Sequence, residues 1–232
     1  CIQAEPGYFA VDGSNNSVNT AAVAQKACAS GYYSSTAGAT QCTQVKAGYY
    51  AVSTVGGTTA TNSAAVDESI CTVGTFSAAG ASACTTAQLG YYTVDSGGNA
   101  LSSPWEGAVS EAQAAEGFFT IDSNGDAADS GAVGVQQAQS GYYTVTTLGG
   151  TTATAAGAVD EAQAAAGYYT VDSNDASKDG GASDVEPCAA GYYSSAGATV
   201  CTQVDAGYFA EDGSGNSVNT AAVAQKACAS GY

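Results

Sequence analysis

Apolar and polar positions alternate in short segments along the chain, and the same kind of segment returns many times. GYYTVDS from Gly90, GYYAVST from Gly48 and GFFTIDS from Gly117 each place a glycine before two aromatic residues and end in polar turn residues. Aromatic and β-branched residues followed by turn formers are typical of a short β-strand that leads into a turn. The pattern therefore predicts an all-β protein of short strands and turns.

The spacing of these segments predicts tandem repeats. Successive motif glycines, here called repeat glycines, are 24, 17, 26, 16, 27, 24, 26, 24, 16 and 24 residues apart, which defines short repeats of 16 or 17 residues and long repeats of 24 to 27. Repeats that contact their neighbours along the chain build an elongated, quasi-linear rod. The motif begins at Gly7, Gly31, Gly48, Gly74, Gly90, Gly117, Gly141, Gly167, Gly191, Gly207 and Gly231.

A longer period lies above the short one. Residues 1–32 and 201–232 are identical at 26 of 32 positions. We therefore expect residues 1–200 to form one full super-repeat, with repeats that begin near 7, 31, 48, 74, 90, 117, 141, 167 and 191, and residues 201–232 to begin the next one. On this interpretation the chain is part of a longer repeating polypeptide.

The long repeats carry a second segment, for example GAVDEAQAAAG from Gly157. Its Ala, Glu and Gln content would permit a helical turn. The segment has only about ten residues and always precedes a strand, so we expect it to be extended or irregular. The repeat glycine itself is expected to supply a backbone angle or a close approach that other residues cannot adopt.

The aromatic pairs are expected to hold the repeats together. Neighbouring side chains on a strand point to opposite faces. One ring of each pair is therefore expected to pack inward on the equivalent ring of the next repeat, and the other to line an interface or hold a glycan. The stacking aromatics are Tyr8, Phe9, Tyr32, Tyr33, Tyr49, Tyr50, Tyr91, Tyr92, Phe118, Phe119, Tyr142, Tyr143, Tyr168, Tyr169, Tyr192 and Tyr193.

The eight cysteines follow the repeats, and their positions predict three disulfides. Four lie three residues before a repeat glycine and four lie six residues before one, and each short repeat is preceded by the first kind and closed by the second. Long repeats lack both cysteines. Two cysteines that form a covalent pair must be present together or absent together, and this is the pattern found. A bridge across a loop of this size contributes about 3 kcal/mol in the chain-entropy account. The predicted pairs are Cys28 with Cys42, Cys71 with Cys84, and Cys188 with Cys201.

Cys1 and Cys228 are left over by this rule. We expect their partners in the preceding and following repeats, with a bridge between separate chains as the alternative. Paired cysteines in a chain without histidine indicate an oxidising compartment outside the cell and argue against a zinc finger.

Composition narrows the class of function further. The 45% of hydrophobic residues are mostly Ala, Val and Tyr, with no Met and one Trp, so no thick aliphatic core is expected. A net charge of -17 repels phosphate backbones and makes nucleic acid an improbable partner. No apolar run approaches the roughly 20 residues that span a bilayer.

Two segments resemble a known family. CASGYYSSTAGATQCTQVKAGYY from Cys28 and CAAGYYSSAGATVCTQVDAGYF from Cys188 are similar to the ephrin-receptor-like cysteine-rich repeat of extracellular proteins, which include surface and appendage proteins of protists. The family places Cys-x-x-Cys before the glycine-aromatic step, whereas Val45 stands three residues after Cys42 here. The resemblance covers the short repeats and implies an extracellular, structural or adhesive module.

Candidate chemistry outside the cysteines is sparse. Asp122, Asn124 and Asp126 have the alternating oxygen spacing of a calcium loop, although Val133 stands where the bidentate Glu would be. Asp and Asn are also ordinary turn residues, which is the alternative interpretation. Asn15 lies in an N-glycosylation sequon, Asn-Asn-Ser.

No enzyme is expected from the carboxylates. Asp67 with Glu68 and Asp160 with Glu161 are neighbours on predicted strands and therefore point apart, whereas a glycosidase needs two carboxyl groups facing across a cleft. The lone Trp105 lies in LSSPWEG, an insertion or a contact point.

The sequence thus predicts an extracellular structural protein whose partner is itself and whose repeats assemble into a fibre, filament or surface coat, with glycans as possible further partners. The alternative is an adhesin or ligand-binding ectodomain of a cell-surface protein.

Overall fold

The structure is a computed structural model that describes residues 1–229, and within this range it contains strands and turns but no helix. The prediction of an all-β repeat protein with disulfides at the short repeats is confirmed. In chain order the strands are β1 Tyr8–Val11, β2 Ala24–Ala27, β3 Tyr32–Tyr33, β4 Thr43–Gln44, β5 Tyr49–Val52, β6 Asp67–Ile70, β7 Thr75–Phe76, β8 Thr85–Thr86, β9 Tyr91–Val94, β10 Ser110–Gln113, β11 Phe118–Ile121, β12 Gly134–Gln137, β13 Tyr142–Val145, β14 Asp160–Gln163, β15 Tyr168–Val171, β16 Asp184–Pro187, β17 Tyr192–Tyr193, β18 Thr202–Gln203, β19 Tyr208–Glu211 and β20 Ala224–Ala227.

Each repeat forms one β-hairpin. Every sheet has two strands that follow one another in the chain. In a long repeat, β13 pairs antiparallel with β14, so that Tyr142 lies opposite Gln163 and Val145 opposite Asp160. The segment from Gly157 is therefore extended, as expected, and not helical. In a short repeat the strands shrink to two residues, as in β17 and β18.

The chain consists of two compact units. The first consists of Cys1–Ala87 and Thr93–Ala112. The second consists of Gln88–Tyr92 and the chain from Gln113 onward.

No helix in residues 1–229 is long and apolar enough to cross a membrane.

The core of each compact unit is made of small side chains. In most long repeats the third and fourth residues after the repeat glycine are both buried, as shown by Thr144 and Val145, which are completely inaccessible. Adjacent strand residues point to opposite faces, so burial of both means that the hairpin is covered on both faces. The same two positions are buried at Ala51 and Val52 in the first compact unit and at Thr170 and Val171 in the second.

Candidate functional site

The contact between successive hairpins is a backbone hydrogen bond that returns from repeat to repeat. The N–H of Thr120 donates to the carbonyl oxygen of Ala158 in the next repeat, at 3.0 Å. Thr144 donates in the same way to Ala182, also at 3.0 Å. In the first compact unit Ser34 donates to Ala65 at 3.0 Å. In each of these three repeats the hairpin therefore hydrogen bonds directly to the hairpin that follows it.

A second contact reaches one repeat further. Gly117 has a φ of +76° and lies against the carbonyl of Gly181, which belongs to the second-next repeat. A Cβ atom at Gly117 would overlap that carbonyl oxygen. Both properties require glycine, as the sequence predicted. The same relation joins Gly7 with Ala64, Gly31 with Gly80 and Gly48 with Gly107 in the first compact unit, and Gly90 with Gly157, Gly141 with Gly197 and Gly167 with Ala221 in the second.

The approaching turn is fixed by a hydrogen bond of its own. The N–H of Gly181 donates to the carbonyl oxygen of Ala138 at 2.8 Å. Ala138 precedes the repeat glycine Gly141, which begins the intervening hairpin. Ala138 ends the hairpin that begins at Gly117, and the next residue of the turn, Ala182, accepts from Thr144 in the intervening hairpin, so this turn contacts both preceding repeats.

Three disulfides close the short repeats. They join Cys28 to Cys42, Cys71 to Cys84 and Cys188 to Cys201, with Cα–Cα distances of 5.8, 5.7 and 5.7 Å. These are the pairs that the cysteine spacing predicted, and the distances lie in the ordinary range for a disulfide. Cys1 and Cys228 are exposed and form no disulfide within residues 1–229.

The first cysteine of each disulfide occupies a position that is alanine in several long repeats. Cys28, Cys71 and Cys188 are completely buried three residues before a repeat glycine. Ala114 and Ala138 stand at the same place in long repeats and are 1% and 2% exposed. A long hairpin has two strands of four residues to hold it, whereas a short one has two strands of two residues and the covalent bond.

Most rings of the aromatic pairs are only partly buried. Within residues 1–229, Phe119 and Tyr143 are the buried members of these pairs, and the other rings are half-buried or exposed. Small residues such as Ala10 and Ala51 form the buried clusters, and Tyr8 and Tyr49 pack against them. Stacking of one ring on another stays a prediction.

Some rings instead cover the turn of their own hairpin. The Tyr50 hydroxyl donates to the carbonyl oxygen of Thr58 at 3.0 Å. The Tyr143 hydroxyl donates in the same way to Thr151 at 3.1 Å. These tyrosines therefore brace long loops as well as filling space.

The calcium candidate forms a hydrogen-bonded turn. Oδ1 of Asp122 accepts from the backbone N–H groups of Asn124 at 2.8 Å and Asp126 at 3.0 Å, and Oδ2 accepts from Nδ2 of Asn124 at 3.0 Å. These hydrogen bonds lower the pKa of Asp122, and the bond from the N–H of Asn124 makes the largest contribution. No group of three or more acidic or cysteine side chains in residues 1–229 is arranged to hold a metal. Calcium at Asp122, Asn124 and Asp126 stays a prediction.

The carboxylate pairs serve as loop braces. Oδ2 of Asp67 accepts from the N–H of Gly56 at 2.9 Å, and Oδ2 of Asp160 accepts from Gly149 at 2.8 Å. Glu68 forms an ion pair with Nζ of Lys46 at 2.6 Å. These groups secure hairpin loops.

Asn15 and Trp105 are the remaining candidates from the sequence. Asn15 lies exposed in a turn with a φ of +64°, so its side chain is accessible for glycosylation, which stays a prediction. Trp105 has a φ of +54° and is half-buried in its loop.

Sequence reasoning missed two grooves beside the disulfides. In the second compact unit a groove of about 270 Å³ lies between Tyr169 and Tyr192, next to Cys201. In the first compact unit a groove of about 260 Å³ includes Phe9 and Tyr32. The signal in the sequence is an aromatic residue directly after the glycine of a short repeat, as at Tyr32 and Tyr192, whereas the short repeat at Gly74 has Thr75.

Comparison with protein-family models finds no family that matches the chain, and comparison with curated proteins finds no similar protein. The resemblance of the short repeats to the ephrin-receptor-like repeat therefore stays a prediction. Fold and site define the chain as a tandem array of β-hairpins with disulfide-stapled short members. The three disulfides indicate an oxidising environment such as the outside of a cell.

Proposed function

We propose that this protein is an extracellular structural repeat protein that assembles with copies of itself into a fibre, filament or surface coat. The observation that carries the proposal is the repeated contact between a repeat glycine and the turn of the second-next hairpin, as between Gly117 and Gly181. The repeat glycines form contacts between stacked hairpins and do not shape a single cleft. Stacked hairpins of similar structure are typical of structural scaffolds.

Exposed apolar side chains support association between copies. Val55 and Leu148 lie at equivalent loop positions of two long repeats and are 71% and 48% exposed. Val23 is 62% exposed. Apolar side chains that recur on the surface at repeat positions give each copy several equivalent contacts, and several weak contacts act together in an assembly.

The chemistry of the surface also favours a scaffold. The acidic pairs at Asp67 and Asp160 are engaged in loop hydrogen bonds, which fits structural carboxylates better than catalytic ones. Disulfides such as Cys71–Cys84, in which Cys71 is completely buried, stabilise short hairpins in the oxidising environment of the cell exterior.

The experiment is electron microscopy combined with sedimentation of the full chain, produced in an oxidising secretory host. We expect ordered polymers that grow with protein concentration. Val55→Asp with Leu148→Asp is expected to reduce assembly, because it places charges on exposed apolar loops. Ser96→Asp adds a charge at another exposed hairpin loop and is the matched control. Monomers of one size at every concentration would overturn the proposal.

A second candidate function is an adhesin or ligand-binding ectodomain, which the two aromatic grooves favour. The groove between Tyr169 and Tyr192 and the one that includes Phe9 and Tyr32 could hold a ligand in either type of protein.

A further inference from the structure

The groove in the second compact unit has apolar walls formed by two successive repeats. β15 and β16 of the long repeat contribute Tyr169 and Pro187, and the stapled repeat contributes Tyr192 and Val200. Ser177, Ala189 and Cys201 complete the lining. Tyr192 is 38% exposed and Val200 is 61% exposed, so the groove opens to solvent.

The groove in the first compact unit uses the same positions of the repeat. Phe9 corresponds to Tyr169, Tyr32 to Tyr192, and Cys42 to Cys201 by their distances from the repeat glycines. Its volume is about 260 Å³, against about 270 Å³ for the other. A concave feature that returns at equivalent positions with matching size is a property of the long-short repeat pair, and this recurrence points to a built site.

The polar groups around the groove are few and differ in their availability. Oγ of Ser177 donates to the carbonyl oxygen of Thr199 at 2.6 Å and is already engaged. The hydroxyl groups of Tyr169 and Tyr192 have no hydrogen-bond partner within residues 1–229, in contrast to the hydroxyl of Tyr143. Both walls therefore offer an aromatic face together with an unused hydroxyl group.

The distribution of charge limits the classes of ligand that the two grooves can bind. No charged side chain lines either groove, although the chain carries a net charge of -17. An anionic ligand is repelled by the whole chain, and a cationic ligand finds no carboxylate in the groove. A neutral ligand with an apolar face and hydroxyl groups at its edge matches aromatic walls with free phenol groups. A sugar ring has both properties.

We propose that the two grooves beside Cys28–Cys42 and Cys188–Cys201 each bind one residue of a neutral polysaccharide. The C–H face of the sugar packs on Tyr32 or Tyr192, and in the second groove the sugar hydroxyl groups exchange hydrogen bonds with the tyrosine hydroxyls. Binding at two grooves of one chain adds avidity on a polymer ligand. This function is independent of self-assembly and goes beyond it.

The test is affinity electrophoresis of the full chain in gels that contain hydroxyethylcellulose, glucomannan or a soluble β-1,3-glucan, with polygalacturonate as the anionic comparison. Retention by at least one neutral polymer is expected. Tyr32→Ala with Tyr192→Ala is expected to weaken binding about tenfold or more, since each variant removes one aromatic wall. Both rings are more than a third exposed, so the fold should tolerate the change.

Tyr208→Ala is the matched control, because Tyr208 is 43% exposed and lies outside both grooves. Its retention should equal that of the parent chain. Thr75→Tyr supplies the missing ring at the short repeat closed by Cys71–Cys84 and is expected to increase retention.

Two results would overturn the proposal. They are equal retention of the double variant and the parent, and retention by polygalacturonate alone. Equal retention together with loss of self-association in the double variant would assign the grooves to contacts between copies. Retention is measured at concentrations where the chain sediments as a monomer, so a failure of the assembly proposal leaves this test valid.

Discussion

The carbonyl group of Gly181 occupies the space in which a side chain of Gly117 would have to lie. Two hairpins that are separated by a complete repeat thus meet backbone to backbone. The left-handed φ of +76° at Gly117 makes this approach possible. The regular spacing of the repeat glycines along the chain therefore reflects packing between repeats as well as turns within them.

Replacement of Gly117 should separate strain from overlap. Gly117→Ala is expected to lower the free energy of unfolding by about 3 kcal/mol or more, because it adds a steric overlap to the cost of a left-handed residue. Gly125→Ala is the control, since Gly125 has a φ of +88° and open space around it. We expect it to cost about 1–2 kcal/mol. Urea unfolding followed by circular dichroism gives both values, and equal losses would contradict the close-contact account.

Removal of one staple should weaken a short hairpin. Cys71→Ala with Cys84→Ala is expected to cost about 3 kcal/mol of unfolding free energy in the loop-entropy account. Alanine fits the buried site, because Ala114 fills the equivalent position in a long repeat. Cys1→Ser, at an exposed cysteine without an internal partner, should leave the unfolding curve unchanged.

Peptide mapping under non-reducing conditions checks the pairing directly. A fragment that links Cys42 to Cys71 would contradict the structure, whereas fragments that link Cys28 to Cys42 and Cys71 to Cys84 are expected.

The buried threonines should respond differently to loss of their hydroxyl groups. Oγ1 of Thr144 donates to the carbonyl oxygen of Thr154 at 2.6 Å, so Thr144→Val is expected to cost about 1 kcal/mol. Oγ1 of Thr93 is buried and has no hydrogen-bond partner within residues 1–229. Thr93→Val should therefore be neutral or stabilising. Denaturant midpoints of the two variants provide the measurement, and a larger loss for Thr93→Val would refute this explanation.

Acid should weaken the aspartate turns. Hydrogen bonds from the loop lower the pKa of Asp12, Asp95, Asp122, Asp172 and Asp212 below the ordinary value of 3.8. A carboxyl group with a lowered pKa in the folded state stabilises the fold above its unfolded value and loses this contribution as the pH falls through the folded value. Stability should therefore decrease below about pH 4, as the carboxylates become protonated.

The measurement is a carboxyl-carbon NMR titration, which should show these aspartates titrating below the same residues in the urea-unfolded chain. Identical titration curves in the folded and unfolded chains would show that the turn hydrogen bonds carry no stabilisation. Asp122→Asn should remove one of the shifted titrations and leave that of Asp95 in place.

Local features of the fold were predictable because their causes are local. The strand after Gly141 follows from its aromatic and β-branched residues, and the bond between Cys28 and Cys42 follows from its position within one short repeat. The degree to which each ring is buried was not predictable, because hydrophobicity does not distinguish Tyr168, which is half-buried, from Thr170 and Val171, which are completely buried.

The contact between Gly117 and Gly181 could not be read from the sequence. Spacing identifies the repeats but does not state which repeat folds back on which, since that depends on the direction in which each hairpin leaves its predecessor. The grooves depend on this geometry too. Tyr169 and Tyr192 belong to successive repeats, and the space between them exists only after the repeats have packed.

The contacts described for the turn at Gly181 are with the two repeats before it, and they do not depend on repeats further away in the chain. A duplication of two consecutive repeats would therefore give the inserted hairpins the same kinds of partner as the old ones. Such a gene can change in length through unequal recombination without first evolving a new interface. The same rule gives protein engineers an array whose length is adjustable in steps of two hairpins.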